Sequence, residues 1–202
     1  MCRVLTSRKN EAGNMAVLGV IASIVLVSVL AFGVDQGLSY MQKSKQEQTL
    51  DAARNQCMNP TAILPAKFSQ DPGREICILV AQTLRRDGVN ANLDVWFYEL
   101  AKTSTSERER VWVVGMQVKQ SVPTVFARSF GLSNIDVSSW RTFVVKPYAS
   151  EKVWRPDKRI CGHYSVEAQD SATQVSFTKM DALDAFPGEI KTQVNALINK
   201  AK

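Results

Sequence analysis

The feature that most constrains this chain is a stretch of twenty residues without a charge, residues 15–34, with the sequence MAVLGVIASIVLVSVLAFGV. A helix needs about 20 predominantly apolar residues to cross the hydrocarbon core of a bilayer. No later part of the chain approaches this length of uncharged, apolar sequence. The sequence therefore predicts one transmembrane helix near the N-terminus.

The residues on either side of this stretch predict its orientation. The leader, residues 1–14, carries Arg3, Arg8 and Lys9, whereas the other flank begins with Asp35 and mixes lysines with acidic residues. Because cationic residues favour the cytoplasmic side, we expect a single-pass protein of the cell membrane with a cytoplasmic N-terminus and an extracytoplasmic C-terminal domain. A cleaved signal peptide is the alternative, but the apolar core of a signal peptide is only about 7–15 residues long.

Good helix formers continue beyond the apolar stretch as far as Asn59-Pro60. The residue before a proline avoids the helical region, so the sequence predicts a helical stalk over residues 35–59. Gly33 and Gly37 have the G-x-x-x-G spacing that lets a partner helix approach closely. A flexible joint at the edge of the lipid is an equally good interpretation of these two glycines.

Residues 60–202 are enough for one extracytoplasmic domain with its own core. Their pattern predicts an α+β domain that combines an antiparallel sheet with packed helices. The expected order is a loop over 61–72, an amphipathic helix over 74–88, strands over 92–100 and 111–122, a short insert over 123–130, a strand over 135–145, short strands over 160–166 and 173–177, and a final helix that begins at Pro187.

Charge and ligand chemistry exclude several classes of function. The net charge is +6, but the chain has no dense run of Lys and Arg, so a nucleic-acid surface is not expected. The chain has one histidine, His163, and no Cys-x-x-Cys motif, so we expect neither a metal site nor a cofactor. No glycine-rich phosphate loop or small-molecule substrate site is evident.

Three cysteines would lie in an oxidising compartment, where a disulfide persists. Cys57–Cys77 closes the shortest loop and would clamp the stalk to the next helix. A pairing of either residue with Cys161 remains the alternative, and in each case one thiol is left over.

No group of side chains forms a recognisable catalytic constellation. His163 has no evident base or nucleophile beside it and is expected to be structural. Asp94 and Glu99 fall on opposite faces of a strand, and residues 107–110 alternate in sign, so both are expected to be solvated charges. We therefore predict no catalytic residue and a protein that is not an enzyme.

The four tryptophans allow two interpretations. Trp96, Trp112 and Trp140 fall in predicted strands, which favours packing in the core. Together with Trp154 they would alternatively line a surface for carbohydrate or peptide. The second interpretation corresponds to a membrane-tethered extracytoplasmic binding domain for cell-wall or peptide ligands.

Three features in a fixed order resemble one family. The opening RKNEAGNMAV at residues 8–17 runs into the apolar helix and its end at 33–35, and QTLDAA follows at 48–53. A strand, a short proline-containing insert and a second strand then occupy residues 111–137. Over residues 8–147 the chain resembles the TadE/TadG-like minor pilins, or pseudopilins, of the tight-adherence (Flp) pilus system.

This resemblance implies a pilin-like protein of pilus assembly, a process tied to secretion and cell adhesion. It implies that other pilins or pilus-assembly proteins are the partners and that the chain is a minor pilin or a pilus-associated anchor. It also implies cleavage by a prepilin peptidase after Gly13, which would leave Asn14 as the new N-terminus. Pilins cut in this way commonly carry a glutamate five residues beyond the cut, where this chain has Leu18. That difference favours an accessory role over a bulk filament subunit.

Overall fold

The computed structural model describes residues 7–100, 110–147, 161–180 and 186–201. Within these residues the chain forms four α-helices and five strands, an α+β architecture as predicted. In chain order the elements are α1 (Ser7–Met58), α2 (Pro60–Phe68), α3 (Pro72–Arg86), β1 (Asn92–Glu99), β2 (Trp112–Pro123), a 3₁₀ turn (Ala127–Phe130), β3 (Asn134–Val145), β4 (Cys161–Val166), β5 (Ser176–Lys179) and α4 (Gly188–Ala201).

Helix α1 confirms the prediction of one long N-terminal helix. It is continuous over 52 residues and includes both the apolar stretch and the predicted stalk. It ends at Met58, directly before Asn59-Pro60. At 1.5 Å per residue, a helix of this length extends for about 80 Å.

The loop predicted over residues 61–72 is wrong in its first part, because helix α2 occupies Pro60–Phe68. The carboxamide oxygen of Asn59 accepts a hydrogen bond from the Thr61 N–H at 2.9 Å, and Pro60 takes the first position of the helix. A capping side chain followed by proline is a helix-start signal. The same dipeptide that ends α1 therefore begins α2.

The remaining predicted elements are present with small shifts of their ends. Helix α3 begins at a cap in which Asp71 accepts from the Arg74 N–H at 3.1 Å. Strands β1 and β2 form the expected antiparallel hairpin, with Leu93 opposite Val118. The fifth strand begins at Ser176, three residues later than predicted. The strands lie side by side in the order β3-β2-β1-β4-β5.

The chain divides into two compact units. The first unit contains the chain up to Met41 together with Val122–Ile135. The second unit contains Gln42–Ser121 and Asp136–Lys202, and so includes the C-terminal part of α1 and most of the sheet.

The core of the second unit has two parts, one on each face of the sheet. Leu93, Val95 and Phe97 of β1 pack in a cluster with the buried residues of α1, α2 and α3. Trp96 and Tyr98 of the same strand pack with the buried face of α4. Because successive side chains of a strand point to opposite faces, the sheet lies between these helices.

The described tryptophans belong to this core. Trp112 is fully buried, Trp96 is almost fully buried, and Trp140 is partly buried against the α4 cluster. Core packing is therefore confirmed for these three residues. Trp154, like the rest of the predicted loop over 148–158, lies outside the described residues.

Candidate functional site

The apolar stretch of α1 lies in the first unit, and almost all of its side chains are exposed. Leu18 and Leu26, for example, are 65% and 63% exposed. The most apolar 18-residue window of α1 has a mean hydropathy of 2.8 and is 6% buried. In length and composition this helix is sufficient to cross a membrane.

The polar groups of the stretch are satisfied within the helix itself. The hydroxyls of Ser23 and Ser28 donate to the carbonyl oxygens of Gly19 and Ile24, each at 2.8 Å. Unpaired polar groups are costly in a hydrocarbon medium, so this internal pairing is what a lipid-exposed helix requires.

Gly33 and Gly37 are exposed on the surface of the same helix. A Cβ atom added at either position would meet no atom of the described residues within 4 Å, apart from the helix's own adjacent backbone. Among the described residues, none packs on the helix surface at these two glycines. The predicted cleavage position, Gly13 and Asn14, lies within α1 upstream of the apolar stretch.

Asp35 follows the apolar stretch directly, and it is buried although it is charged. Its carboxylate accepts hydrogen bonds from the backbone N–H groups of Val125, Phe126 and Ala127, with N–O distances from 2.6 to 3.3 Å. Burial by itself raises the pKa of this carboxyl, but the three N–H donors outweigh it and the net pKa is lowered. The ionised side chain therefore ties the end of the apolar stretch to the β2–β3 connection. In the sequence Asp35 is recognisable only as a flanking charge, because its partners lie about 90 residues away.

In the second unit, His163 and Lys119 lie on either side of Asp94. The carboxylate oxygens of Asp94 are 2.9 Å from His163 Nε2 and 3.0 Å from Lys119 Nζ. Partial burial raises the pKa of Asp94, but the hydrogen bonds from His163 and Lys119 reverse this and the net pKa is lowered. The His163 ring also stacks on Trp96 with centroids 5.0 Å apart. His163 therefore has a carboxylate partner that the sequence did not predict.

The prediction of a solvated charge is wrong for Glu99 and for Arg110. The Arg110 guanidinium donates two hydrogen bonds to the Glu99 carboxylate, at 2.7 and 2.8 Å, and both side chains are buried. Arg110 also donates to the backbone carbonyl oxygens of Lys67 and Ser69. A buried carboxylate requires such a partner, and two carbonyl groups at the C-terminal end of α2 accept further hydrogen bonds from the Arg110 guanidinium.

The predicted Cys57–Cys77 disulfide is absent, and both residues are buried free thiols. Burial raises the pKa of each thiol to about 12. Cys161, the alternative partner, belongs to the cluster on the other face of the sheet, so it does not join either thiol. The three cysteines pack in the two cores as small apolar side chains.

Within the described residues, no three His, Cys, Asp or Glu side chains are grouped so that they could hold a metal ion. The chain thus offers two notable features: an exposed apolar helix in the first unit and a helix-covered sheet in the second. Comparisons with protein-family models, with curated proteins and with solved structures found no match for this chain.

Proposed function

We propose that this chain is a non-enzymatic, membrane-anchored component of tight-adherence (Flp) pilus assembly, acting as a minor pilin or as a pilus-associated anchor. In this proposal residues 15–34 span the cell membrane, the N-terminus is cytoplasmic, and the second unit is extracytoplasmic. One observation carries it. A single continuous helix is apolar and exposed over 15–34, and then contributes buried residues such as Leu50 to the core of a sheet domain.

Exposure of so many large apolar side chains argues for lipid as the surrounding medium. In water each of these side chains would forgo roughly 1.5–3 kcal/mol of burial. In a bilayer the same side chains are well solvated, and helix association depends on close packing instead. The open surface at Gly33 and Gly37 then supplies a place where a neighbouring pilin helix can pack.

The absence of an acidic residue from the stretch supports an accessory role. Ionisable groups inside a membrane are costly and usually functional. Pilins that are cut by a prepilin peptidase commonly have a glutamate five residues beyond the cut. This chain has Leu18 at that position, and Leu18 is exposed on the helix. Without this glutamate, the helix offers no carboxylate to the N-termini of neighbouring pilins. A helix of this kind suits an anchor better than a bulk filament subunit.

The alternative function, a membrane-tethered domain that binds cell-wall or peptide ligands on a tryptophan-lined surface, has little support. Trp96 and Trp112 are core residues, and a ligand could reach them only if the sheet opened. A binding domain of that design would need other residues for its ligand.

The test is genetic, with variants of the full chain. Deletion of the gene is expected to abolish piliation, and the wild-type chain is expected to restore it. The double variant Gly33→Leu/Gly37→Leu should restore piliation poorly, because leucine would fill the open helix surface. Gly19→Leu is the matched control, since Gly19 also has open space around it but lies outside the pair.

Normal piliation and adherence after deletion would contradict the proposal. Full restoration by the double variant would instead remove only the helix-packing role of the two glycines and favour the flexible-joint interpretation.

A further inference from the structure

The connection between β2 and β3 carries a dense set of exposed apolar side chains. We call residues 124–132 the tip. Val125, Phe126, Phe130 and Leu132 are 60%, 45%, 69% and 56% exposed. Isolated apolar side chains on a surface are normal, but several together mark a contact with a partner or a membrane.

The backbone of the tip is well ordered, so these side chains are not exposed for lack of structure. Thr124 N–H donates to the Ser133 carbonyl oxygen at 3.0 Å, and its hydroxyl donates to the Leu132 carbonyl. The 3₁₀ turn ends at Gly131, which has a φ of +86°, a conformation that favours glycine. These hydrogen bonds and the turn at Gly131 fold the backbone of the tip, and its phenylalanine side chains remain exposed in that folded conformation.

Asp35 fixes where the tip lies within the first unit. Its carboxylate accepts the Val125, Phe126 and Ala127 N–H groups. Asp35 is also the first residue after the uncharged stretch. If that stretch fills the hydrocarbon core, Asp35 lies at its boundary, at the start of a headgroup layer about 5–7 Å thick on each side. The tip backbone, in hydrogen-bond contact with Asp35, then lies within the same layer.

The chemistry of the tip suits that layer. Phe and Leu side chains next to a cationic residue are typical of segments that bury an apolar face at the boundary between headgroups and acyl chains. The tip contains the exposed Arg128 and no acidic residue of its own, so this guanidinium is available to hydrogen-bond a lipid phosphate. We infer that the tip is a second membrane contact, with Phe126, Phe130 and their apolar neighbours seated in the outer leaflet beside α1. This inference rests on the proposed membrane anchoring.

The test uses the full chain in liposomes of phosphatidylcholine and phosphatidylglycerol, with and without lipids brominated on the acyl chains. Phe130→Trp places a reporter in the tip. Phe177→Trp is the matched control, because Phe177 is also an exposed phenylalanine, at 52%, but lies on β5 in the second unit. The four native tryptophans provide a constant background that is subtracted with the wild-type chain.

We expect the emission added by Phe130→Trp to be blue-shifted and quenched by the brominated lipids, and the emission added by Phe177→Trp to be neither. Quenching of neither reporter, in a chain that remains in the liposome pellet after alkaline carbonate, would overturn the inference and leave the proposed anchoring intact. A blue shift at position 130 without quenching would also overturn it, because protein, here a second copy of the chain, would then cover the tip instead of lipid. Release of the wild-type chain by carbonate would contradict the proposed anchoring itself.

Discussion

The two parts of helix α1 distribute apolar and polar side chains in opposite ways. Over residues 15–34 the side chains are apolar and exposed, as Leu26 illustrates at 63%. Over residues 42–58 the helix is rich in polar residues, yet Gln46 and Leu50 are fully buried. The Nε2 of Gln46 donates to Gln120 Oε1 at 3.1 Å, whereas Gln46 Oε1 is buried without a hydrogen-bond partner among the described residues.

This contrast indicates that the two parts of α1 are adapted to different surroundings. A water-soluble helix exposes its polar side and buries its apolar side. Among the described residues, the first part of α1 has no polar side and almost no cover, whereas the second part is covered by a sheet and by other helices. The proposed membrane anchoring, with lipid around the first part and protein around the second, would explain both observations.

The largest expected effect comes from charge in the exposed part. Val25→Arg/Leu26→Arg places two cations at the centre of the apolar stretch, at a cost of about 5–7 kcal/mol for membrane insertion. The variant should disappear from the carbonate-resistant membrane fraction on immunoblots. Met41→Arg is the matched control, since Met41 is exposed on the same helix beyond the stretch, and it should stay in that fraction. Equal retention of both variants would contradict a lipid-facing role for 15–34.

The second effect compares two leucines of the one helix. Leu50→Ala removes a fully buried side chain and should destabilise the second unit by about 2–5 kcal/mol. Leu26→Ala removes an exposed one and should change that stability by less than about 0.5 kcal/mol. Thermal unfolding of the full chain in detergent, followed by near-ultraviolet circular dichroism of the core tryptophans, measures both. Similar shifts would show that the two parts of α1 do not differ as described.

The third effect concerns Asp35, where the exposed part ends. Asp35→Ala removes the acceptor of three tip N–H groups. Amide hydrogen exchange at Val125, Phe126 and Ala127 should become at least several-fold faster, because these groups lose their charged acceptor. The β1–β2 amides serve as the internal control and should not change. Unchanged exchange at the tip would mean that Asp35 does not order it.

The smallest effect is expected at the half-exposed pair between Asp51 and Arg141. Their hydrogen bonds, at 2.9 and 3.2 Å, lower the pKa of Asp51. The stabilisation is therefore present above the ordinary carboxyl pKa and is lost as the pH falls through the lowered one. Asp51→Asn should cost less than about 1 kcal/mol at neutral pH, and the loss should vanish in strong acid. Unfolding temperatures between pH 2 and 7 measure this, and a deficit that persists in acid would contradict the assignment.

Elements with a strong local pattern could be predicted from the sequence. The long N-terminal helix, the strand over 92–100 and the short insert over 123–130 each depend on neighbouring residues, and the structure has a helix, a strand and a 3₁₀ turn in these places. Helix α2 was not predicted, because Pro60 and Pro65 are typical of loops. Asn59 followed by Pro60 is also a helix-start signal, since Asn59 caps α2.

Contacts between distant residues could not be predicted. The Asp35 carboxylate and the tip N–H groups are about 90 residues apart in sequence, and Arg110 contacts Lys67 over a separation of 43 residues. A charged residue in a polar stretch normally indicates a solvated position, and only the fold reveals its buried partner. The disulfide prediction failed as well, because loop length does not determine whether two thiols meet: Cys57 and Cys77 belong to the same core cluster and are still unpaired thiols.

The intact mass of the chain extracted from carbonate-washed native membranes tests membrane anchoring by residues 15–34 most directly. If these residues are the anchor, the membrane-retained species still contains them and starts either at Met1, as a permanent anchor, or at Asn14, after prepilin processing. A carbonate-soluble species that starts near Phe32 would contradict it, because the apolar stretch would then be a signal peptide and not an anchor.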